Sequence, residues 1–209
     1  MVAPAFTLVG GGEKPIKDIF ADNSVFQAAE TDADADLIKV WKDTTYVTYF
    51  YASDAGNAWS SDQDGFDETT DTIPIGNAFW LYRVGTAVPT ATLCGEVIGT
   101  DIDVAIFGGT GSGEDLTQVG NPFSHPLPIA SITAPDLQAA ETDADADLIK
   151  VWNGSTYLTY FYASDAGDAW SSDQDGFDET TDTIPIGGAF WFVRRGTPTT
   201  ITLPVPYTL

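Results

Sequence analysis

Along residues 37–41 apolar and polar positions alternate, with Ile38 and Val40 on one side and Leu37, Lys39 and Trp41 on the other. A period of two marks a half-buried strand, because successive side chains project to opposite faces. The runs TYVTYFYA (45–52) and TYLTYFYA (156–163) are dense in aromatic and β-branched residues, as strands are. AFWLYRV (78–84) and AFWFVRR (189–195) read the same way, each after an Ile-Pro-Ile-Gly lead-in where proline suits the start of a strand. DVAIF (103–107) and LTQVG (116–120) add two more candidates. Only KPIKDIFAD (14–22) has helical spacing, enough for one or two turns. Short strands divided by Gly, Asp and Pro turns predict an all-β protein of sandwich-like or barrel-like domains.

The pattern occurs twice. Residues 27–86 recur at 138–197 with a constant offset of 111, and 51 of 60 positions are identical. A unit this long is a duplicated domain rather than a short solenoid repeat. The flanks match in outline, 6–20 aligning with the two-residue-longer 116–132. The fold class expected is therefore all-β, two tandem, internally duplicated β-sandwich or barrel-like domains, 1–107 and 108–209. Their boundary falls near the Gly/Ser-rich stretch 108–115, which reads either as a linker or as a hairpin loop joining 103–107 to 116–120. The second copy has a candidate strand, DVAIF, ahead of its opening segment, and the first is preceded only by MVAPA. One domain is thus expected to lack a strand that the other possesses.

Composition fits folded domains rather than disorder, with 43% hydrophobic and 12% aromatic residues. Charge narrows the partners. With 31 acids against 8 bases the formal net charge is −23, which excludes the clustered Lys and Arg that nucleic-acid binding needs and disfavours anionic membranes. No apolar run is long enough to span a bilayer as a helix. The opening Met1–Phe6 lacks a signal peptide's basic start and apolar stretch, which fits a cytoplasmic protein or a mature form with the signal removed. The lone Cys94 makes an internal disulfide impossible and reads as a small buried hydrophobe.

The acids concentrate in two motifs. SSDQDGFDETTD stands unaltered at 60–71 and 171–182. Aligned on a twelve-residue calcium loop, Ser60, Asp62, Asp64, the Phe66 carbonyl, Glu68 and Asp71 fall at the ligand positions, with Gly65 at the sharp turn. The second copy offers Ser171, Asp173, Asp175, Phe177, Glu179 and Asp182. Asp67 and Asp178 give an alternative, shorter D-x-D-G-x-D loop. This resembles EF-hand-type calcium loops over twelve residues only, with Ser for Asp at the first position, Asp for Glu at the last, and no flanking helices. Oxygen donors without His or Cys favour Ca²⁺; a solvated acidic turn is the plain alternative. TDADAD (31–36 and 142–147) places Asp32, Asp34 and Asp36, and Asp143, Asp145 and Asp147, at alternate positions. In an extended chain these carboxylates share one face, either chelating a cation or forming a charged edge that discourages aggregation. The abundance of Asp also suits a halophile's cytoplasm, but there the acids would spread over the whole surface.

Candidate chemistry is sparse. His125 is the one histidine, in a Pro-rich turn, and no G-x-S-x-G, Cys–His pair or phosphate-cradling loop appears. Paired carboxylates can hydrolyse glycosides, but these lie in turns without an evident aromatic cleft. Trp80 and Trp191 sit in apolar runs and read as core; Trp59 and Trp170, beside the acidic loops, are the better candidates for stacking on a glycan, with packing under the loop as their favoured role.

The combination VGNPF, DLIKVW, TYLTYFY and IPIGGAFWFVR resembles tandem β-sandwich-type repeats of secreted or surface proteins of environmental bacteria. That resemblance implies an extracellular or cell-surface setting with millimolar calcium, and a structural or adhesive role rather than catalysis. The expectation is a non-enzymatic homopolymer subunit of a filament, tube or surface layer, joined by strand addition, with Met1–Phe6 or Pro204–Leu209 as donor. The alternative is a calcium-dependent adhesion or carbohydrate-binding module.

Overall fold

The computed structural model describes residues 13–42, 45–61, 63, 67–84, 97–108, 115–172 and 178–208. The fold is all-β, and every named strand pair is antiparallel. In the first repeat β1 (Lys14–Pro15) pairs with β5 (Thr72–Ile73). Its main sheet comprises β2 (Leu37–Lys42), β3 (Thr45–Ala52), β4 (Ala58–Ser60) and β6 (Phe79–Tyr82), in the order β4-β3-β2-β6.

The second repeat opens with β7 (Ile102–Ile106), β8 (Asp115–Gly120) and β9 (Leu127–Pro128). There follow β10 (Leu148–Trp152), β11 (Tyr157–Ala163), β12 (Ala169–Ser171), β13 (Thr183–Ile184), β14 (Ala189–Arg194) and β15 (Thr199–Leu203). Its main sheet runs β12-β11-β10-β14-β8, while β9 pairs with β13 and β7 with β15.

The period-two alternation does the sorting. Ile38 and Val40 of β2 turn inward with Tyr49, Trp59 and Phe79, and Ile16, Ile19, Phe20 and Phe26 cover them to close the first core. The segment with helical spacing forms a single 3₁₀ turn, Ile16–Asp18, and a second covers Asn23–Val25, capped by the Asp22 carboxylate accepting from Ser24 N–H at 2.8 Å. One turn suffices to bury Ile16 and Ile19 together, three residues apart. In the second repeat Ile149, Tyr160, Trp170, Phe190 and Phe192 face Val104, Ile106, Ile201 and Leu203 from the β7–β15 pair. β7 and β8 belong to different sheets and so do not form a hairpin; β7 contributes its apolar face to the core of the second repeat. Gly109–Glu114 of the intervening stretch lie outside the described residues, as do Cys94 and the segments 1–12 and 85–96, where counterparts of β8 and β15 would fall in the first repeat.

Candidate functional site

The TDADAD segments are turns, not extended strands. Asp34 N–H donates to the Thr31 carbonyl at 3.3 Å, and Asp145 N–H to Thr142 at 3.3 Å. The alternate carboxylates therefore diverge instead of sharing one face. Asp32, Asp34, Asp143 and Asp145 are exposed, whereas Asp36 and Asp147 are fully buried.

Both buried carboxylates are held by backbone amides and an arginine. Asp36 accepts from Gln27 N–H and Val84 N–H, each at 2.8 Å, and lies 2.9 Å from Arg83 Nε. Asp147 accepts from Gln138 N–H at 2.9 Å, Arg195 N–H at 2.8 Å and Arg194 Nη1–H. Arg194 also donates from Nη2 to Asp136 at 2.9 Å and from Nε to the Thr197 carbonyl at 2.8 Å. In the first repeat Val25 stands where Asp136 stands in the second, and Arg83 donates instead to the Val25 carbonyl at 2.6 Å, leaving its buried Nη1 without a partner among the described residues. A buried charge is tolerated when compensated in this way. Asp36 and Asp147 thus tie the turn to the end of the sheet.

Of the longer acidic loops, Asp62, Asp64, Phe66, Asp173, Asp175 and Phe177 lie outside the described residues. At the last position, Asp71 accepts from Tyr49 Oη–H and pairs with Lys42 Nζ at 3.0 Å. The tyrosine hydrogen bond holds the Asp71 carboxyl below its ordinary range, partial burial opposing it and Lys42 adding to it. Asp182 accepts from Tyr160 Oη–H at 2.6 Å. Asp67, Glu68, Asp178 and Glu179 are exposed, Glu68 lying 3.5 Å from Lys17 Nζ. At the first position Ser60 and Ser171 are fully buried, and their hydroxyls have no hydrogen-bond partner among the described residues. Among the described residues no three His, Cys, Asp or Glu are grouped to hold a metal ion.

Trp59 and Trp170 are core residues, in keeping with packing under the loops rather than with stacking on a glycan. Trp59 packs on Phe26 and Tyr51 with ring centroids 5.0 and 5.2 Å away, and Trp170 donates Nε1–H to the Ile132 carbonyl at 2.8 Å. A three-residue strand beside a loop is too short for periodicity to reveal which face it buries. Trp80 and Trp191 lie on the opposite face of their sheets, donating to Tyr46 Oη at 3.0 Å and Tyr157 Oη at 3.3 Å. His125 is exposed and packs on Tyr207, 4.6 Å between ring centroids. Among the described residues no helix is long and apolar enough to cross a membrane.

The contact between the repeats went unread in the sequence. The turn Pro74–Ala78 of the first repeat seats on β7 and β8 of the second. Gly76 carbonyl accepts from Gly120 N–H at 2.7 Å, and Asn77 forms a β-bridge with Val119. Ile75 packs on the second core, and Ala78 meets Ala189. Gly76 has φ of +83°, and a Cβ there would fall 2.5 Å from Val104 Cγ2. Beside the turn, Trp41 donates Nε1–H to the Leu116 carbonyl at 2.9 Å and meets Trp191 edge-on at 5.3 Å. The chain matches no known protein family, curated protein or solved structure.

A separate open cleft of about 580 Å³ lies on the first sheet, lined by Glu30, Asp32, Tyr46, Thr48, Phe50 and Gln63 among others.

Proposed function

We propose that the protein is a non-enzymatic structural subunit of an extracellular filament, tube or surface layer, a homopolymer that calcium stabilises. The observation that carries this reading is the joint between the repeats. It is heterologous, since the turn end of one unit meets the opening strands of the next. Contacts between unlike faces propagate head to tail, into open filaments unless the rotation closes a ring, whereas self-complementary contacts stop at a pair. Two near-identical units already joined in this way inside one chain are a short piece of such an array.

Calcium fits the loop residues in one respect. Ser60 and Ser171 place buried hydroxyls, unpartnered among the described residues, at the first ligand position of both loops, and an orphaned polar group at a buried site calls for a partner. Strand addition by the C-terminal segment finds no support. Val205 N–H donates to Asp101 at 2.9 Å and Tyr207 Oη–H to the Ile98 carbonyl, so Pro204–Thr208 is engaged within its own repeat. Met1–Phe6, the other donor candidate, lies outside the described residues.

The test is electron microscopy and sedimentation of the full chain in calcium and in chelator. Concentration-dependent polymers in calcium support the reading; a monomer at every concentration in both conditions overturns it.

A second reading, a glycan-binding module, is favoured by the open cleft, where the half-exposed Tyr46 ring stands beside Thr48, Gln63, Glu30 and Asp32. An aromatic face with polar neighbours suits sugar stacking. Glycan-array binding by the monomer, lost in Tyr46→Ala, would favour it over assembly.

A further inference from the structure

β3 is longer than the strand beside it. On one side β2 pairs with it from Thr45 to Phe50, but on the other β4 reaches only Phe50, Tyr51 and Ala52. Tyr51 N–H donates to the Asp36 carbonyl at 3.0 Å, on the β2 side. Alternate residues of an antiparallel strand present their N–H and C=O to opposite neighbours. Val47 and Tyr49 therefore face β2 like Tyr51, and Tyr46 and Thr48 face away from it. Their two N–H and two C=O groups point to the side that β4 leaves open, where no strand among the described residues pairs with them. β11 repeats the arrangement, since β12 reaches only Phe161, Tyr162 and Ala163.

The open cleft of about 580 Å³ lies against this edge. Val47 and Thr48 both line it although the Val47 side chain belongs to the core on the other face, so the cleft reaches the backbone of the strand. The exposed carboxylates of Glu30 and Asp32 stand on one wall, and no lysine or arginine lines the cleft among the described residues. Lys39, opposite Thr48 in β2, holds its ammonium over the Tyr82 ring at 5.1 Å instead. Tyr46 Oη accepts from Trp80 Nε1–H at 3.0 Å, which steadies the half-exposed ring beside the edge. An unpaired edge is a template for a further strand, and the charge around it decides which strand is admitted. A second copy of this chain, at a formal net charge of −23, brings like charge to the contact. A segment carrying lysine or arginine brings the opposite charge, and a cation that can rest on an aromatic face.

We infer that the open edge of β3 at Tyr46–Thr48, with the cleft beside it, is a docking site for an extended basic segment of another protein. The segment adds to the first sheet as a short strand. Its backbone pairs with the N–H and C=O groups of Tyr46 and Thr48, the main-chain mode of strand addition. Its side chains alternate, so basic residues at every second position share one face. On the outer side of the sheet they meet Glu30, Asp32 and the Tyr46 ring. A glycan in the same cleft would use the ring and leave the strand edge unpaired. The inference goes beyond the assembly reading and does not rest on it, since the partner is not a copy of this chain.

The experiment adds three probes to the full chain: a short capped peptide of alternating lysine and threonine, the same peptide with its backbone amides N-methylated, and cellohexaose. Calorimetry reads affinity, and amide hydrogen exchange reads the Tyr46 and Thr48 N–H groups. The plain peptide is expected to bind and to slow exchange at both amides. N-methylation keeps the charge and removes the donors, and should weaken binding roughly tenfold or more, the net worth of two or more amide hydrogen bonds. Glu30→Gln combined with Asp32→Asn should weaken the affinity read at those two amides about threefold, in the range of exposed ion pairs. The melting temperature should stay the same, because both side chains are exposed. If the methylated peptide binds equally, or the plain one leaves both amides exchanging freely, the attraction is that of net charge alone and the docking site is wrong. If cellohexaose binds and the peptide does not, the cleft belongs to the glycan reading and the inference falls. A peptide that does not bind at all also overturns it, and none of these results touches the assembly reading.

Discussion

Trp41 donates its indole hydrogen to the Leu116 carbonyl at 2.9 Å, a hydrogen bond spanning 75 residues of sequence and joining the two copies of one unit. Trp41→Phe keeps an aromatic ring against Trp191 but removes the donor. One part-buried hydrogen bond contributes about 0.5–1.5 kcal/mol net. The variant should lose that much from the joint, seen as a separation of the two repeats' unfolding transitions in urea. Trp152→Phe, where no bond is lost among the described residues, should leave the urea profile unchanged.

Gly76 is the tightest point of the same joint. An alanine there meets a left-handed backbone cost of about 1–2 kcal/mol and, in addition, the Val104 methyl 2.5 Å away. Gly56 supplies the control, since its φ is +77° and no atom lies within 4 Å of a Cβ built on it. Gly56→Ala should therefore show the backbone cost alone. Gly76→Ala should cost clearly more, and the excess measures how closely the repeats are packed. Equal melting temperatures for the two variants would mean that Val104 moves aside freely.

The buried ion pairs make a third prediction. Asp147→Asn preserves shape but leaves Arg194 facing Asp147's place without its charge, and breaking a buried pair from one side costs about 3–5 kcal/mol. Asp136 remains beside Arg194, 2.9 Å from Nη2, and limits the loss to the lower part of that range. In the first repeat Arg83 has no carboxylate in Asp136's position, so Asp36→Asn should be the more damaging of the two. Chemical denaturation of both variants decides the order.

These comparisons show what the sequence carries and what it does not. Strand positions were legible where alternation ran five residues or more, as at 37–41, because a strand's two faces are written into consecutive residues. The partner of a strand is not written there. β7 precedes the Gly-rich stretch in sequence but joins β15, since its apolar face completes a core that the second repeat supplies. Asp36 read as a surface acid beside Asp32 and Asp34; its burial depends on Arg83, which only the folded chain brings near. Ile75, half-buried at the joint, and its counterpart Ile186, 58% exposed, are the extreme case. Identical residues are half-buried in one repeat and exposed in the other, so no local pattern distinguishes them.

Acid should act on the first repeat through Asp71. The Tyr49 hydrogen bond lowers its carboxyl pKa in the folded state. A lowered carboxylate contributes stability that is fully present above the unfolded pKa of about 3.9 and is lost as pH falls through the lower folded value. Tyr49→Phe removes the main cause, so the Asp71 carboxyl should titrate closer to its ordinary position in an NMR titration. Its share of the acid-side loss of stability should shrink accordingly. Because the Asp71 side chain is 38% exposed, solvent screening keeps the effect small. An unchanged Asp71 titration in Tyr49→Phe would transfer the role to Lys42.

Calcium is tested by the charge it would neutralise. A net charge of −23 destabilises any compact state by self-repulsion, and every salt relieves some of that. A rise in melting temperature with calcium is therefore informative only against sodium chloride at matched ionic strength. Screening alone gives the two salts one curve, because it depends on ionic strength and not on the ion. A site with Kd of about 10⁻⁴–10⁻³ M, filled at ~10 mM calcium, adds roughly 1.4–2.7 kcal/mol of native-state stability. With a loop in each repeat, the calcium curve should stand above the sodium curve by several degrees, saturate, and return to it with chelator. Ser60→Ala and Ser171→Ala sharpen the test. Each removes a buried hydroxyl without a partner among the described residues, so in chelator it should leave stability unchanged or raise it. If the hydroxyls are ligands, the same changes lower stability in calcium. A variant whose sign does not reverse between chelator and calcium would show that the serines hold no ion.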